Sequence, residues 1–370
     1  MTSLADLPIR DDLRGQTPYG APQEHVRIQL NVNENTHPIP EDVAADIESS
    51  LAAAIRTVNR YPDREFTSLR ESLANYLGHG LGIDQIWAAN GSNEILQQFL
   101  QAFGGPGRSV LGFRPTYSMH SIIASGTGTR WIGVDRDEEY RISPETAVAA
   151  IEREHPDVVF FCSPNNPTGT PLHLDTIVAA YDATDGMVLV DEAYAEFAPA
   201  ELPTALSLLD GRPRLVVSRT MSKAFAFAGA RVGYLAADPA VTDALRLVRL
   251  PYHLSALTQA AAIAALAHTK EMLAMVDDIK AQRNRLLREL PKLGYPVHDS
   301  WANFVMFGGV ADPHALFEAL LANDIIIRDL GIPQSLRVTA GTEAETTEFL
   351  DVLARLTAEG LPSALGRIGA

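Results

Sequence analysis

The feature that most restricts the fold of this chain is an alternation through its middle, where short apolar runs are separated by stretches of helical character. Val110 to Phe113, Trp131 to Val134, Val158 to Cys162, Met187 to Val190 and Leu215 to Ser218 read as strands. Between them, Ser143-Pro144 predicts a helix start, an N-cap followed by proline at the first helical position, and Leu172 to Ala183 predicts a further helix. Strands spaced by helices imply βαβ units and a mainly parallel sheet covered on both faces, so the fold class is α/β. Sheets of this kind bind ligands outside the carboxyl ends of their strands. The polar residues that follow each apolar run are therefore the place to look for chemistry.

On the N-terminal side, Val43, Ile47, Leu51 and Ile55 recur every fourth residue and predict a helix from Glu41 to Ile55. A second helix is expected from about Glu65 to Leu77, with Phe66, Leu69, Leu73 and Tyr76 on one side. Pro62, between the two, keeps the link extended. After Pro251 the pattern turns helical from Ala256 to about Leu290. It then reads strand (Asn303 to Phe307), helix (Pro313 to Leu321), strand (Ile325 to Arg328), strand (Leu336 to Thr339) and helix (Glu343 to Thr357), a compact α+β lobe. The tail after Gly360 is expected to be weakly ordered.

With 370 residues, the chain is long enough for two lobes and a sizeable core, and 46% apolar against 21% charged residues is an ordinary globular balance. A formal net charge of -16 with no local Lys/Arg cluster argues against nucleic acid as a partner. An anionic small molecule is still admissible, because a few arginines inside a cleft outweigh a distant screened charge. The single cysteine, Cys162, excludes an intramolecular disulfide and a cysteine-built zinc site, and its place in an apolar run suits a small buried side chain. Residues Met1 to Arg14 lack the apolar core of a signal peptide, and Leu254 to Ala267 is too short to span a bilayer. A cytoplasmic location is the expectation.

Four polar motifs stand where the sheet places ligands. Asn90-Gly91-Ser92-Asn93-Glu94 opens a helix, whose exposed amides and positive dipole end suit a phosphate, although Ser92 and Asn93 could equally serve as caps. Ser163-Pro164-Asn165-Asn166-Pro167-Thr168-Gly169 sets two asparagines in a rigid turn after Cys162. Asp191-Glu192-Ala193-Tyr194 follows the fourth apolar run. Without a G-x-x-x-x-G-K-[ST] loop elsewhere, this acidic residue does not suggest nucleotide hydrolysis. Thr220-Met221-Ser222-Lys223 follows the fifth, with Arg231 farther on. Apolar neighbours such as Met221, Phe225 and Phe227 would depress the pKa of Lys223, and a neutral amine is what carbonyl chemistry needs.

Taken together, the four motifs supply a partner for the aldehyde, the pyridinium nitrogen and the phosphate of pyridoxal phosphate. The ordered set N-G-S-N-E, S-P-N-N-P-T-G, D-E-A-Y, S-K-A-F and the Arg of G-A-R-V-G-Y resembles the fold-type-I aminotransferases. Within them, R-Y-P-D from Arg60, L-N-V-N-E-N from Leu30, P-Y-G-A-P from Pro18, L-P-Y-H-L-S from Leu250 and I-R-D from Ile327 are similar to the histidinol-phosphate aminotransferases, above all the actinobacterial type. The likeness runs over nearly the whole chain. One departure is Thr36, where many relatives have proline after N-E-N.

The resemblance implies an N-terminal arm with part of the small lobe over 1–45, a large cofactor-binding lobe with a mainly parallel seven-stranded sheet over 46–255, and a small α+β lobe over 256–370. It also implies that Lys223 is the Schiff-base lysine and the proton shuttle, and that Asp191 pairs with the pyridine nitrogen. Asn166 and Tyr194 would hydrogen-bond the ring oxygen, and Tyr117 would stack on the ring. Ser92, Asn93, Thr220, Ser222 and Arg231 would hold the phosphate, with Tyr61 reaching in from the partner subunit of a homodimer. Arg337 is implied as the carboxylate-binding arginine. Arg328, Tyr19 and Asn33 complete the implied substrate set, whose anionic members are histidinol phosphate, glutamate and 2-oxoglutarate. Transamination of aromatic amino acids and decarboxylation of a phosphorylated amino acid stay open at this level, because they share the same motifs. A non-catalytic regulator would need a DNA-binding segment, for which the N-terminal arm is too short.

Overall fold

Each apolar run of the alternation is a strand, and the central ones are buried because helices lie on both faces of the sheet, whereas Trp131 to Val134, on the edge strand, are only partly buried. The computed structural model describes residues 3–15, 19–20 and 22–360. The tail beyond Gly360 and part of the Pro18 to Pro22 stretch lie outside those residues. The seven strands of the main sheet are β1 (Ile86–Asn90), β2 (Ser109–Arg114), β3 (Arg130–Asp135), β4 (Val158–Cys162), β5 (Met187–Asp191), β6 (Leu215–Thr220) and β7 (Val232–Ala237). Their spatial order is β1-β7-β6-β5-β4-β2-β3, with only β7 antiparallel to its neighbours. Every residue of β4, Val-Val-Phe-Phe-Cys, is buried, as a central strand covered on both sides requires.

The carboxyl ends of the parallel strands consequently gather Asn90, Arg114, Cys162, Asp191 and Thr220 along one edge. The helix after β1, Ser92–Phe103, begins there, and its amide end faces the same edge. The helix predicted at Ser143-Pro144 runs Pro144–Glu154, with the Ser143 hydroxyl accepting from the Thr146 amide. The predicted N-terminal helix is Glu41–Ile55, but only Val43 and Ile47 of its apolar set are fully buried, and Ile55 is exposed.

The second sheet has three antiparallel strands, β8 (Phe304–Phe307), β9 (Arg328–Asp329) and β10 (Leu336–Thr339), in the order β9-β10-β8. The expected strand from Ile325 to Arg328 divides in two. Ile325–Ile326 pairs in parallel with Ile28–Gln29, and Arg328–Asp329 pairs with β10. The long helical stretch after Ala256 also divides, into Ala256–Ala267 and Thr269–Lys292, at His268. Among the described residues no helix is long and apolar enough to cross a membrane.

Candidate active site

The turn after β1 is built by glycine. Gly91 has a positive φ of 83° and serves as the N-cap of the Ser92–Phe103 helix without a side-chain cap, so Ser92 and Asn93 are left free of the capping role. A Cβ on Gly91 would overlap the Arg231 guanidinium, and one on Gly233 would overlap the Gly91–Ser92 backbone. The cradle of helix amides therefore closes onto Arg231 only because both positions lack a side chain. Thr220 and Ser222 stand beside it, joined by a 3.0 Å hydroxyl contact. Amides, hydroxyls and a guanidinium converging on one point match the needs of a phosphate dianion.

At the end of β5, Asp191 is almost wholly buried. His120 Nε2 donates to its Oδ2 at 3.3 Å, and the Ser218 hydroxyl lies 3.4 Å from Oδ1. Tyr194 is buried, and its hydroxyl accepts from Asn33 Nδ2 at 3.0 Å and from Asn166 Nδ2 at 3.3 Å. Burial pushes the Tyr194 phenol up, so it stays protonated and can donate. The Tyr117 hydroxyl donates to Asn93 at 3.2 Å, and burial raises its pKa as well.

Lys223 lies in the loop after β6, half buried, with its amine donating to the Val32 carbonyl at 2.9 Å. Burial, helped by Arg337 and Arg231, draws its pKa down to about 8, with Glu34 opposing. The apolar neighbours predicted this direction, and the two arginines add to it.

The opposite end of the site belongs to the small sheet. Arg337 is buried, donating from Nη1 to Asn166 Oδ1 at 2.6 Å and from Nη2 to the Asn31 carbonyl at 2.7 Å, while its Nε has no partner among the described residues. Burial, with Arg328 nearby, lowers its pKa to about 10. Arg328 is the residue directly across the strand pair from Arg337, and its guanidinium lies 5.8 Å from the Tyr19 ring. Like charges opposite each other on neighbouring strands repel. An anion between them would turn that repulsion into attraction.

These groups line one cavity of about 1200 Å³, which takes in fourteen of the fifteen sequence-predicted positions. Tyr61 is the exception: it is 80% exposed and stacked on Tyr252 at 4.4 Å, away from the cavity of its own chain. No cluster of metal-binding side chains occurs among the described residues. The cradle behind Gly91, the buried Asp191 and the Lys223 amine together fit a phosphorylated pyridine aldehyde.

The sequence profile of the family described as aminotransferase class I and II matches residues 26–353. The chain belongs to this family. It is 59% identical to the histidinol-phosphate aminotransferase of Paenarthrobacter aurescens, over 95% of this chain and 96% of that one. It is 55% identical to the enzyme of the same name from Thermobifida fusca, over 97% of each chain. Its structure is similar to that of the histidinol-phosphate aminotransferase from Sinorhizobium meliloti in complex with pyridoxal-5'-phosphate, with a TM-score of 0.80, 27% identity and 91% coverage of both chains.

Two features of this aminotransferase went unread in the sequence. His120, a helical residue in an unremarked segment, reaches Asp191 only once its helix, Met119–Thr127, has packed against the Ser92–Phe103 helix and β3. The other is what Asn33, already in the implied substrate set, ties together. Asn33 has a positive φ of 58°, and its amide and side chain meet Thr339 while its carbonyl accepts from Asn303. The spacing of N-E-N gives no sign that this stretch bridges both sheets.

Proposed function

We propose that this aminotransferase moves the amino group of L-histidinol phosphate to 2-oxoglutarate, giving imidazole acetol phosphate and L-glutamate, with pyridoxal 5'-phosphate as cofactor. The observation that carries the reading is the Arg328–Arg337 cross-strand pair facing the Lys223 amine across one cavity. Two unlike substrates share only an anionic group, a phosphate in one and a second carboxylate in the other, and this pair of guanidiniums accepts either.

When bound, the cofactor supplies an electron sink for the carbanion formed at the substrate α-carbon. The Lys223 amine, its pKa drawn down by burial, carries the proton to and from that carbon. Asp191, held by His120, would keep a proton on the pyridine nitrogen. Tyr194 and Asn166 would donate to the ring oxygen, Tyr117 would cover the ring, and Ser92, Asn93, Thr220, Ser222 and Arg231 would hold the phosphate. Tyr19 and Asn33 close the substrate end.

The exposed side of Tyr61, together with Leu247 and Leu250 at 86% and 75% exposure, supports a homodimer in which Tyr61 completes the partner's phosphate site. We assign the protein to the cytoplasm, with lobe boundaries near residues 45 and 255. An amino-donor panel tests the substrate: histidinol phosphate is expected to lead phenylalanine and threonine phosphate in kcat/KM. A preference for phenylalanine would overturn the assignment, and release of carbon dioxide from threonine phosphate would replace transamination with decarboxylation.

A further inference from the structure

A second polar assembly stands directly behind the cofactor edge. Asp191 and Ser218 are partners in the β5–β6 ladder, and the next residues are Glu192 and Arg219. Side chains alternate along a strand, so these two turn to the face away from the cavity. Arg219 donates to Glu192 Oε2 from Nη2 at 2.8 Å and from Nε at 3.1 Å, and its Nη1 lies 3.5 Å from Glu196. Glu192 also accepts from the Thr204 hydroxyl at 2.6 Å and the Ala205 amide at 2.7 Å. Glu196 accepts from Tyr76 at 3.0 Å, and the Tyr76 ring meets Phe225 edge-on at 5.2 Å.

The placement is informative. Glu192 and Glu196 bracket Tyr194, two residues to either side, and both reach the same guanidinium. Arg219 precedes Thr220 and the Lys223 loop, and Phe225 within that loop rests on the same cluster. One side chain thus grips both ends of the turn that carries Tyr194 and the strand that delivers Lys223. Buried ion pairs add little net stability compared with apolar side chains of the same volume, so stability alone does not account for three buried charges here. Fixed geometry does.

We propose that Arg219 is a positioning residue of the active site, acting through Glu192 and Glu196 to hold the Tyr194 hydroxyl against the cofactor's ring oxygen. This rests on the reading that Tyr194 and Lys223 face the cofactor.

The test is a pH titration of the bound cofactor's visible absorbance in the holoenzyme, with the unfolding midpoint measured on the same samples. Arg219→Met leaves two buried carboxylates without a cation and can fail to fold, so the informative variants are Arg219→Lys and Glu192→Gln. Each is expected to raise the pKa of the cofactor absorbance by about one unit, the equivalent of one weakened hydrogen bond to a charged group. Thr204→Val, which removes one donor from Glu192 and one acceptor from Arg219 but leaves the ion pair, moves it the same way by less, and decides the matter if the other two do not fold. Folded variants that titrate like the wild type overturn the proposal, whatever their unfolding midpoint. Tyr194→Phe separates this from the underlying reading. If Tyr194→Phe also titrates like the wild type, the site reading itself fails; if Tyr194→Phe shifts and the Arg219 variants do not, only the role of Arg219 is lost.

Discussion

The two ends of the cavity are built on opposite principles. At the cofactor end, Asp191 is matched by His120 and Ser218, and Tyr194 by Asn33 and Asn166, so the groups are held before anything binds. At the substrate end, Arg337 keeps a buried Nε without a partner among the described residues and lies across the strand pair from a second arginine. A satisfied network fixes one geometry, whereas an unsatisfied one leaves binding energy for whichever anion arrives. The contrast fits an enzyme with one permanent cofactor and two alternating substrates.

The cofactor end should fail completely when its one reactive group is removed. Lys223→Ala is expected to lose turnover by several orders of magnitude while retaining pyridoxal phosphate noncovalently, because nucleophile and proton carrier vanish together. Stopped-flow single turnover with glutamate measures it, and a loss under about ten-fold would mean that another base does the work. A complementation experiment extends this to the dimer. Mixed Lys223→Ala and Tyr61→Phe chains place both changes in one site and neither in the other, so activity should rise above that of either parent. No rise after confirmed subunit exchange would rule out a shared site.

Changes at the substrate end should be partial and selective. Arg337→Ala removes the donor proposed to serve both substrates and should cost about ten-fold to a hundred-fold in each half-reaction, the range for charge-assisted bonds. Arg328→Ala should impair histidinol phosphate more than glutamate, and equal small losses for both would place Arg328 outside the site.

The smallest effect concerns protons. Lys223 has a pKa of about 8 in the folded chain against an ordinary 10.5, so the unfolded chain binds more protons between those values. Stability of the cofactor-free protein should therefore rise with pH through that window. Lys223→Met should exceed the wild type in stability at pH near 8 and lose the advantage toward pH 10, by on the order of a few kcal/mol at most. A difference that stays constant between those pH values in urea unfolding would contradict the depressed pKa.

How much of this could be read from the sequence follows the same division. Strand runs and the motifs after them lie in continuous sequence, so β4, β5 and β6 and the chemistry at their ends were legible from period and position. The strand pair around Ile327 was not, because a continuous apolar run carries no mark of where it changes partners. β7 escaped notice because Val232–Ala237 follows the lysine loop without a turn signal of its own, and its antiparallel course depends on contacts with β1 and β6. His120 and Arg219 show the same limit at the site. Each owes its significance to a neighbour far away in sequence, and for Arg219 the ladder register that sets it against Glu192 exists only once the sheet has formed.

The central claim is that one lysine at the cofactor end carries the reaction. Borohydride reduction of the holoenzyme, followed by peptide mapping, addresses it most directly. The reduced cofactor should be found on the peptide containing Lys223, and that label should be absent from Lys223→Ala. Reduced cofactor on any other lysine of the wild type would contradict the account.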